Sequence, residues 1–194
     1  MNDTSLSLLD RARRQEESQA WERLAALYTP LLTSWLHRLG VQDSDADDLT
    51  QEVLLVVLRE LPQFEHNRRS GAFRRWLRMI LAHRVQDFWK RRDRRPIAAG
   101  GSSFHEQLNQ LTDDGSPASQ LWDRQHDEHV MSQLMETLRP RFAPQTWQAF
   151  RMQVIDGRRA DAVATELGLS LSSVYVAKSR VLNALRREAE GLIE

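Results

Sequence analysis

Three clusters in this sequence have residue types and spacings that could do chemistry. The first, "GAFRRWLRMILAHRVQDFWKRRDRR" over residues 71–95, holds nine Lys and Arg against Asp87 and Asp93, with Phe73, Trp76, Phe88 and Trp89 among them. Cations interleaved with rings suit phosphate backbones and unstacked bases. The second is acidic: Asp43, Asp45, Asp47, Asp48 and Glu52 stand just before it. Such a cluster could hold Mg²⁺. It lacks the glycine-centred spacing of a calcium hand, so capping of a helix N-terminus by these acids is the simpler reading. The third, "HDEH", sets His126 and His129 three apart, where two imidazoles on one helix face could chelate a metal. No third ligand is near, and a solvated helix face is the simpler reading. The sequence has no glycine-rich phosphate cradle, nucleophile elbow or activated cysteine. A binding protein is therefore expected, without cofactor, metal site or enzymatic activity.

The chain has 194 residues, with 27 basic and 27 acidic side chains and a formal charge of zero. A third of the cations fall in residues 71–95, so neutrality hides a local asymmetry. Two partners of opposite character would explain it, one of them nucleic acid; two solvated helix faces would also do so. With 41% hydrophobic and 28% charged residues, the composition suits a soluble globular protein of one medium or two small domains. There is no cysteine, which fits a reducing compartment. The N-terminus has no apolar run suited to a signal peptide, and the longest apolar stretch, residues 53–58, is far too short for a bilayer. A cytoplasmic protein without membrane attachment is expected.

The elements that must position these clusters are helical. Apolar residues recur at three and four, and no segment alternates as a strand would. Helices are predicted over residues 5–14, 17–39 (with Pro30 a potential break), 44–61 (closed by Pro62) and 71–92. Residues 96–120 carry three Gly, two Pro and five small hydroxyl residues, which reads as a flexible interdomain linker. Helical periodicity returns over 121–138, 144–155, 159–167 and 171–190. The expected fold is all-α, with two small helical domains at 1–95 and 121–194 joined by the linker 96–120.

In the basic helix, at about 100° per residue, Phe73, Trp76, Leu77, Ile80, Leu81 and Phe88 form an inward stripe. Arg74, Arg75 and Arg78 fall on the other side, as an exposed phosphate-binding face. Trp89 could stack on a base or shield a neighbouring helix, the second being the simpler reading, and Arg84 interrupts the stripe. Near the C-terminus, "RADAVATELGLSLSSVYVAKSRVLNALRRE" reads as helix, turn, helix. Gly168 stands where a tight turn needs no Cβ, and Ser170 offers an N-cap. Val174, Ala177, Val181 and Leu185 point inward. Tyr175, Val176, Ser179 and Asn183 then face out, flanked by Ser172, Arg180 and Arg186. That surface suits a DNA major groove; an ordinary helical hairpin is the alternative.

The order of these parts resembles the bacterial sigma-seventy family, and more narrowly its extracytoplasmic-function group of short RNA polymerase sigma factors. "DADDLTQEVLLVVLRELPQF" is similar to the region that docks on the clamp helices of the polymerase β′ subunit. This implies polymerase contacts by Asp45, Asp48, Gln51 and Glu52. "GAFRRWLRMILAHRVQDFWKRR" resembles the helix that handles the −10 element. With its preceding loop it implies DNA contacts by Phe64, His66, Asn67, Arg68, Arg69, Ser70, Arg74, Arg75, Arg78 and His83. "AVATELGLSLSSVYVAKSRVLNALR" resembles the −35 reading unit. It implies DNA contacts by Ser172, Ser173, Tyr175, Val176, Ser179, Arg180, Asn183 and Arg186. The resemblance further implies the flap of the β subunit and promoter DNA as partners, and leaves open whether an anti-sigma factor is one. "SPASQLWDRQHDEHV", "TWQAF" and "SVYVAKSRVL" resemble a subgroup common in planctomycete-type bacteria. The chain departs from the general pattern in its longer loop "EHNRRSGAF", in His83 where many relatives place Asn, and in Tyr175 and Val176 where a Lys/Arg–Ser pair is common. A stand-alone helix-turn-helix regulator is the rival reading. It leaves the acidic and basic helices unaccounted for.

Overall fold

The computed structural model describes residues 7–14, 18–65, 71–92 and 101–193. These described residues are helical, without a strand, and group into two compact units: 7–130 with 190–193, and 131–189.

The first unit opens with α1 (Leu8–Arg13), capped by the Ser7 hydroxyl, and α2 (Ser18–Arg38), which runs through Pro30 without a break. Leu24, Leu27, Tyr28, Leu31, Leu32, Trp35 and Leu36 give α2 its buried stripe. Next comes α3 (Asp43–Glu60), followed by a single 3₁₀ turn at Leu61–Gln63, where Pro62 has no amide to continue the helix. The capping differs from expectation. Gln42 occupies the N-cap without a side-chain bond, and Asp43 and Asp45 fall in the first turn, where a carboxylate favours the helix dipole. Basic α4 (Ala72–Arg92) buries Phe73, Leu77, Ile80, Leu81 and Val85. Gly71 precedes it with φ +77°, and a Cβ there would lie 2.6 Å from Arg74 Nε.

The expected linker departs most from the structure. Gly101–Thr112 forms α5, with Leu108 and Leu111 buried, and α6 spans Pro117–Leu138. Residues 96–100 lie outside the described residues; beyond them, Gly115, Ser116 and Pro117 mark the junction of two helices rather than a flexible tether. Gly115 N–H donates to Asp113 Oδ1 at 3.1 Å, Ser119 N–H donates to Ser116 Oγ at 3.0 Å, and Pro117 takes the first helical position. Residues 101–130 pack within the first unit, and the division between units falls inside α6.

In the second unit a 3₁₀ turn at Arg139–Arg141 leads to α7 (Pro144–Val154), α8 (Ala160–Leu167) and α9 (Leu171–Ala189). Ala149, Met152, Val163, Ala164, Val174 and Ala177 form its core, with Ala160, Leu167 and Leu169 packed against them. Arg141 Nη1 pairs at 2.9 Å with the buried Glu188.

Candidate nucleic-acid and partner interfaces

Between α8 and α9 the expected turn is present. Gly168 is left-handed at φ 64°, and Leu169 N–H donates to the Ala164 carbonyl at 2.9 Å. Ser173 N–H donates to Ser170 Oγ at 3.1 Å, so Ser170 is the N-cap. Two glutamines of α7 hold the pair in place: Gln145 Nε2 donates to the Leu167 carbonyl and Gln153 Nε2 to that of Val174, both at 3.0 Å. On α9, Val174, Ala177, Val181 and Leu185 are buried. Ser172, Ser173, Tyr175, Val176, Ser179, Arg180, Asn183 and Arg186 are all exposed. Periodicity therefore placed this helix in the correct rotation.

The acidic helix is exposed where partner contact is expected. Asp48 and Gln51 face solvent, and Asp45 and Glu52 are half-buried. Glu52 is not free, because Arg91 Nη2 reaches it at 3.3 Å. One turn beyond Gln51, Leu55 is 64% exposed, the most open of the large apolar side chains among the described residues. Sequence reasoning passed over it. The signal was available, since Leu55 continues the outward row of Asp48 and Gln51 at i+7 and i+4.

The basic helix requires a correction. Arg74, Arg75 and Arg78 do not form an open cationic face. Arg78 is 1% exposed, and its Nη2 lies 2.5 Å from Asp114 Oδ1 and its Nη1 3.7 Å from Asp123. Arg74 Nη1 pairs with Asp127 at 2.7 Å and also donates to the Ile193 carbonyl at 3.2 Å. Arg75 stays exposed while its Nε bonds both Asp114 oxygens, at 2.7 and 2.8 Å. The Arg75 hydrogen bond is the main cause holding the Asp114 carboxyl below its usual range, with the charges of Arg75 and Arg78 adding to it. A one-sided amphipathic reading fails here because α5 and the start of α6 cover a second side of α4. His83 is exposed, and Arg84 pairs with Asp87 at 3.0 Å, which explains a cation beside the apolar stripe. Trp89 packs edge-on against Phe88 at 5.0 Å. Phe64 is half-buried, with its ring 4.8 Å from Trp76 and 5.7 Å from Phe73. The expectations for His66, Asn67, Arg68, Arg69 and Ser70 lie outside the described residues.

The histidine pair is not a solvated face. His126 is fully buried, with Nδ1 2.9 Å from Asp127 Oδ1 and Nε2 2.9 Å from the Tyr28 hydroxyl. Because the ionised Asp127 can only accept, Nδ1 carries the proton and Tyr28 O–H donates to Nε2. Burial lowers the His126 pKa below 6.5 against the opposing pull of Asp127, and burial followed by Asp127 raises that of Tyr28. His129 Nε2 bonds the Leu27 carbonyl at 2.6 Å. Beside them Trp122 is fully buried, with its ring 5.3 Å from Trp35 and its Nε1–H donating to the Arg74 carbonyl at 3.0 Å. These side chains fasten α6 to α2 and α4. Among the described residues, no group of three or more His, Cys, Asp or Glu could hold a metal ion. No helix among them is long and apolar enough to cross a membrane.

Among the described residues an acid-headed helix, a basic helix and a later helix-turn-helix follow one another. Residues 24–95 match the family model of sigma-70 region 2. The chain is 24% identical over 171 residues to the ECF RNA polymerase sigma factor SigE of Mycolicibacterium smegmatis, covering 88% of this chain and 62% of that protein. It is 28% identical over 165 residues to the ferric citrate uptake sigma factor FecI of Escherichia coli, covering 84% of this chain and 87% of that one. Residues 24–95 thus match sigma-70 region 2, and over most of its length the chain is similar to sigma factors, one of them of the extracytoplasmic-function type.

Proposed function

We propose that this chain is a promoter-specificity subunit of bacterial RNA polymerase, which directs the core enzyme to particular promoters, assists their melting and has no catalytic chemistry of its own. The observation that carries the reading is the pairing, in one chain, of a region-two match over residues 24–95 with a helix-turn-helix whose second helix turns hydroxyls, an amide and arginines outward. Neither alone is sufficient. In this reading the α3 face of Asp48, Gln51 and Leu55, flanked by Asp45 and Glu52, docks on the β′ clamp helices. An apolar hollow in the second unit, lined by Phe142, Trp147 and Ile155 among others, receives the β flap.

Residues 64–70 and the start of α4 hold an extruded −10 base. Extrusion costs a few kcal/mol, which binding to the single strand offsets. Of the α4 residues assigned to DNA, Arg75 and His83 are exposed, Arg75 while paired with Asp114, whereas Arg74 and Arg78 are largely covered and paired with Asp114, Asp123 and Asp127. The second helix of the helix-turn-helix lies in the −35 major groove. Polymerase supplies much of the affinity, so a chain of zero net charge suffices with local cationic faces. The test mixes the purified chain with core polymerase and measures both complex formation and run-off transcription from a promoter library. A stable complex with promoter-selective transcripts is expected. DNA binding without any complex would instead indicate a stand-alone regulator.

A further inference from the structure

The first two turns of α9 concentrate apolar surface where a solvated helix would carry none. Leu171 is 47% exposed, Tyr175 53% and Val176 47%. Val176 is the most central of the three. At about 100° per residue it falls between Ser172 and Arg180 on the outward face and close to Asn183, directly opposite buried Leu185. A β-branched residue on an exposed helical position lowers helix propensity, and leaving it in water forfeits the gain from burial. Contact with a partner recovers the second loss.

The neighbouring polar groups are partly committed to one another. Ser170 Oγ lies 2.9 Å from Ser172 Oγ and 2.7 Å from Ser173 Oγ, so these hydroxyls satisfy the helix start. Beside Val176 is a shallow hollow lined by Gln145, Thr146, Ser172, Ser173 and Arg180. In a major groove, base edges offer hydrogen-bond donors and acceptors throughout, and one apolar group: the C5-methyl of thymine. We propose that Val176 is a specificity-determining residue that reads a thymine methyl group in the −35 element. This rests on the reading that α9 docks there, and it adds the chemical identity of one recognised base.

Deoxyuridine in place of thymine removes the methyl and leaves every hydrogen-bonding group, so it isolates the contact. The probe is a promoter duplex whose −35 half is first selected from random sequence by holoenzyme built from the full chain and core polymerase. Each thymine in that half is then replaced singly by deoxyuridine. With the parent chain, one replacement should weaken holoenzyme binding about fourfold, the value of one buried methyl. With Val176→Ser, thymine and deoxyuridine at that position should bind equally. Circular dichroism should match the parent, because Val176 lies outside the core.

Equal binding of both forms by the parent at every position overturns the proposal, as does discrimination that survives in Val176→Ser. Arg180→Ala tells this failure from failure of the docking itself. If Arg180→Ala alters −35 preference while thymine and deoxyuridine stay equal, only the methyl contact falls. If neither variant alters −35 preference, the docking falls too and takes the proposal with it.

Discussion

Val181 is fully buried under α9, and a carboxylate placed there would have no partner. Burying an unpaired charge costs several kcal/mol, comparable to the whole stability of a small domain at about 5 kcal/mol. Val181→Asp should therefore unfold the second unit, seen as loss of its cooperative thermal transition. Gly168→Ala is a milder test. No atom lies within 4 Å of an added Cβ, so the cost comes only from the left-handed backbone and should be about 1 kcal/mol. His126 makes a pH prediction. In the fold the neutral imidazole is favoured, whereas the unfolded chain takes up a proton near pH 6.5. Below that pH the unfolded state binds more protons, so stability present at neutral pH falls on acidification until the lowered folded pKa is passed. Asp127, Asp123, Arg74 and Tyr28 are the charged and titratable groups facing the ring. Urea melts at pH 7 and pH 5.5 should show a loss of stability that His126→Gln reduces.

Elements were legible in proportion to how local their signals are. The helix-turn-helix was read correctly because Gly168, Ser170 and the spacing of Val174, Ala177 and Val181 all lie within a few turns of one another. The same holds for α3 and the stop at Pro62. Arg78 and His126 were misread because their environment comes from elsewhere in the chain: Asp114 is 36 residues from Arg78, and Tyr28 is 98 residues from His126. Helix α5 was missed because "DDGSP" carries both a helix stop and a helix start, and such a pair looks like a tether in composition. Exposure of Leu55 beside Asp48 leads to a prediction for α3 as a docking element. Asp48→Lys with Leu55→Asp should weaken core-polymerase binding by an order of magnitude or more, while circular dichroism and melting stay close to the parent. Undiminished affinity would remove α3 from the interface. Glu52 is a poorer probe, because its reversal also breaks the pair with Arg91.

For the whole molecule, the sigma-70 region 2 match and the first folded unit do not coincide. The match closes at residue 95, whereas the unit extends to residue 130. A fragment 1–95 would lack Asp114, Trp122, Asp123, His126 and Asp127. It would strip Arg78 of its carboxylate partners and uncover the side of α4 that α5 and α6 bury. The fragment 1–130 should show a cooperative urea transition, and 1–95 a broad transition or none. Equal midpoints for the two would show that residues 101–130 are dispensable to the first unit.

The bond between Tyr28 and His126 spans 98 residues, and that separation has a consequence during synthesis. At about 5–20 residues per second, His126 is added about 5 to 20 seconds after Tyr28. In the later part of that interval, once α4 has been made, the nascent helices hold an unpaired phenol, an Arg78 without Asp114 and an uncovered side of α4. The first unit therefore stays open on the ribosome at least until α6 emerges, and its last residues, 190–193, join it only when the second unit has been made.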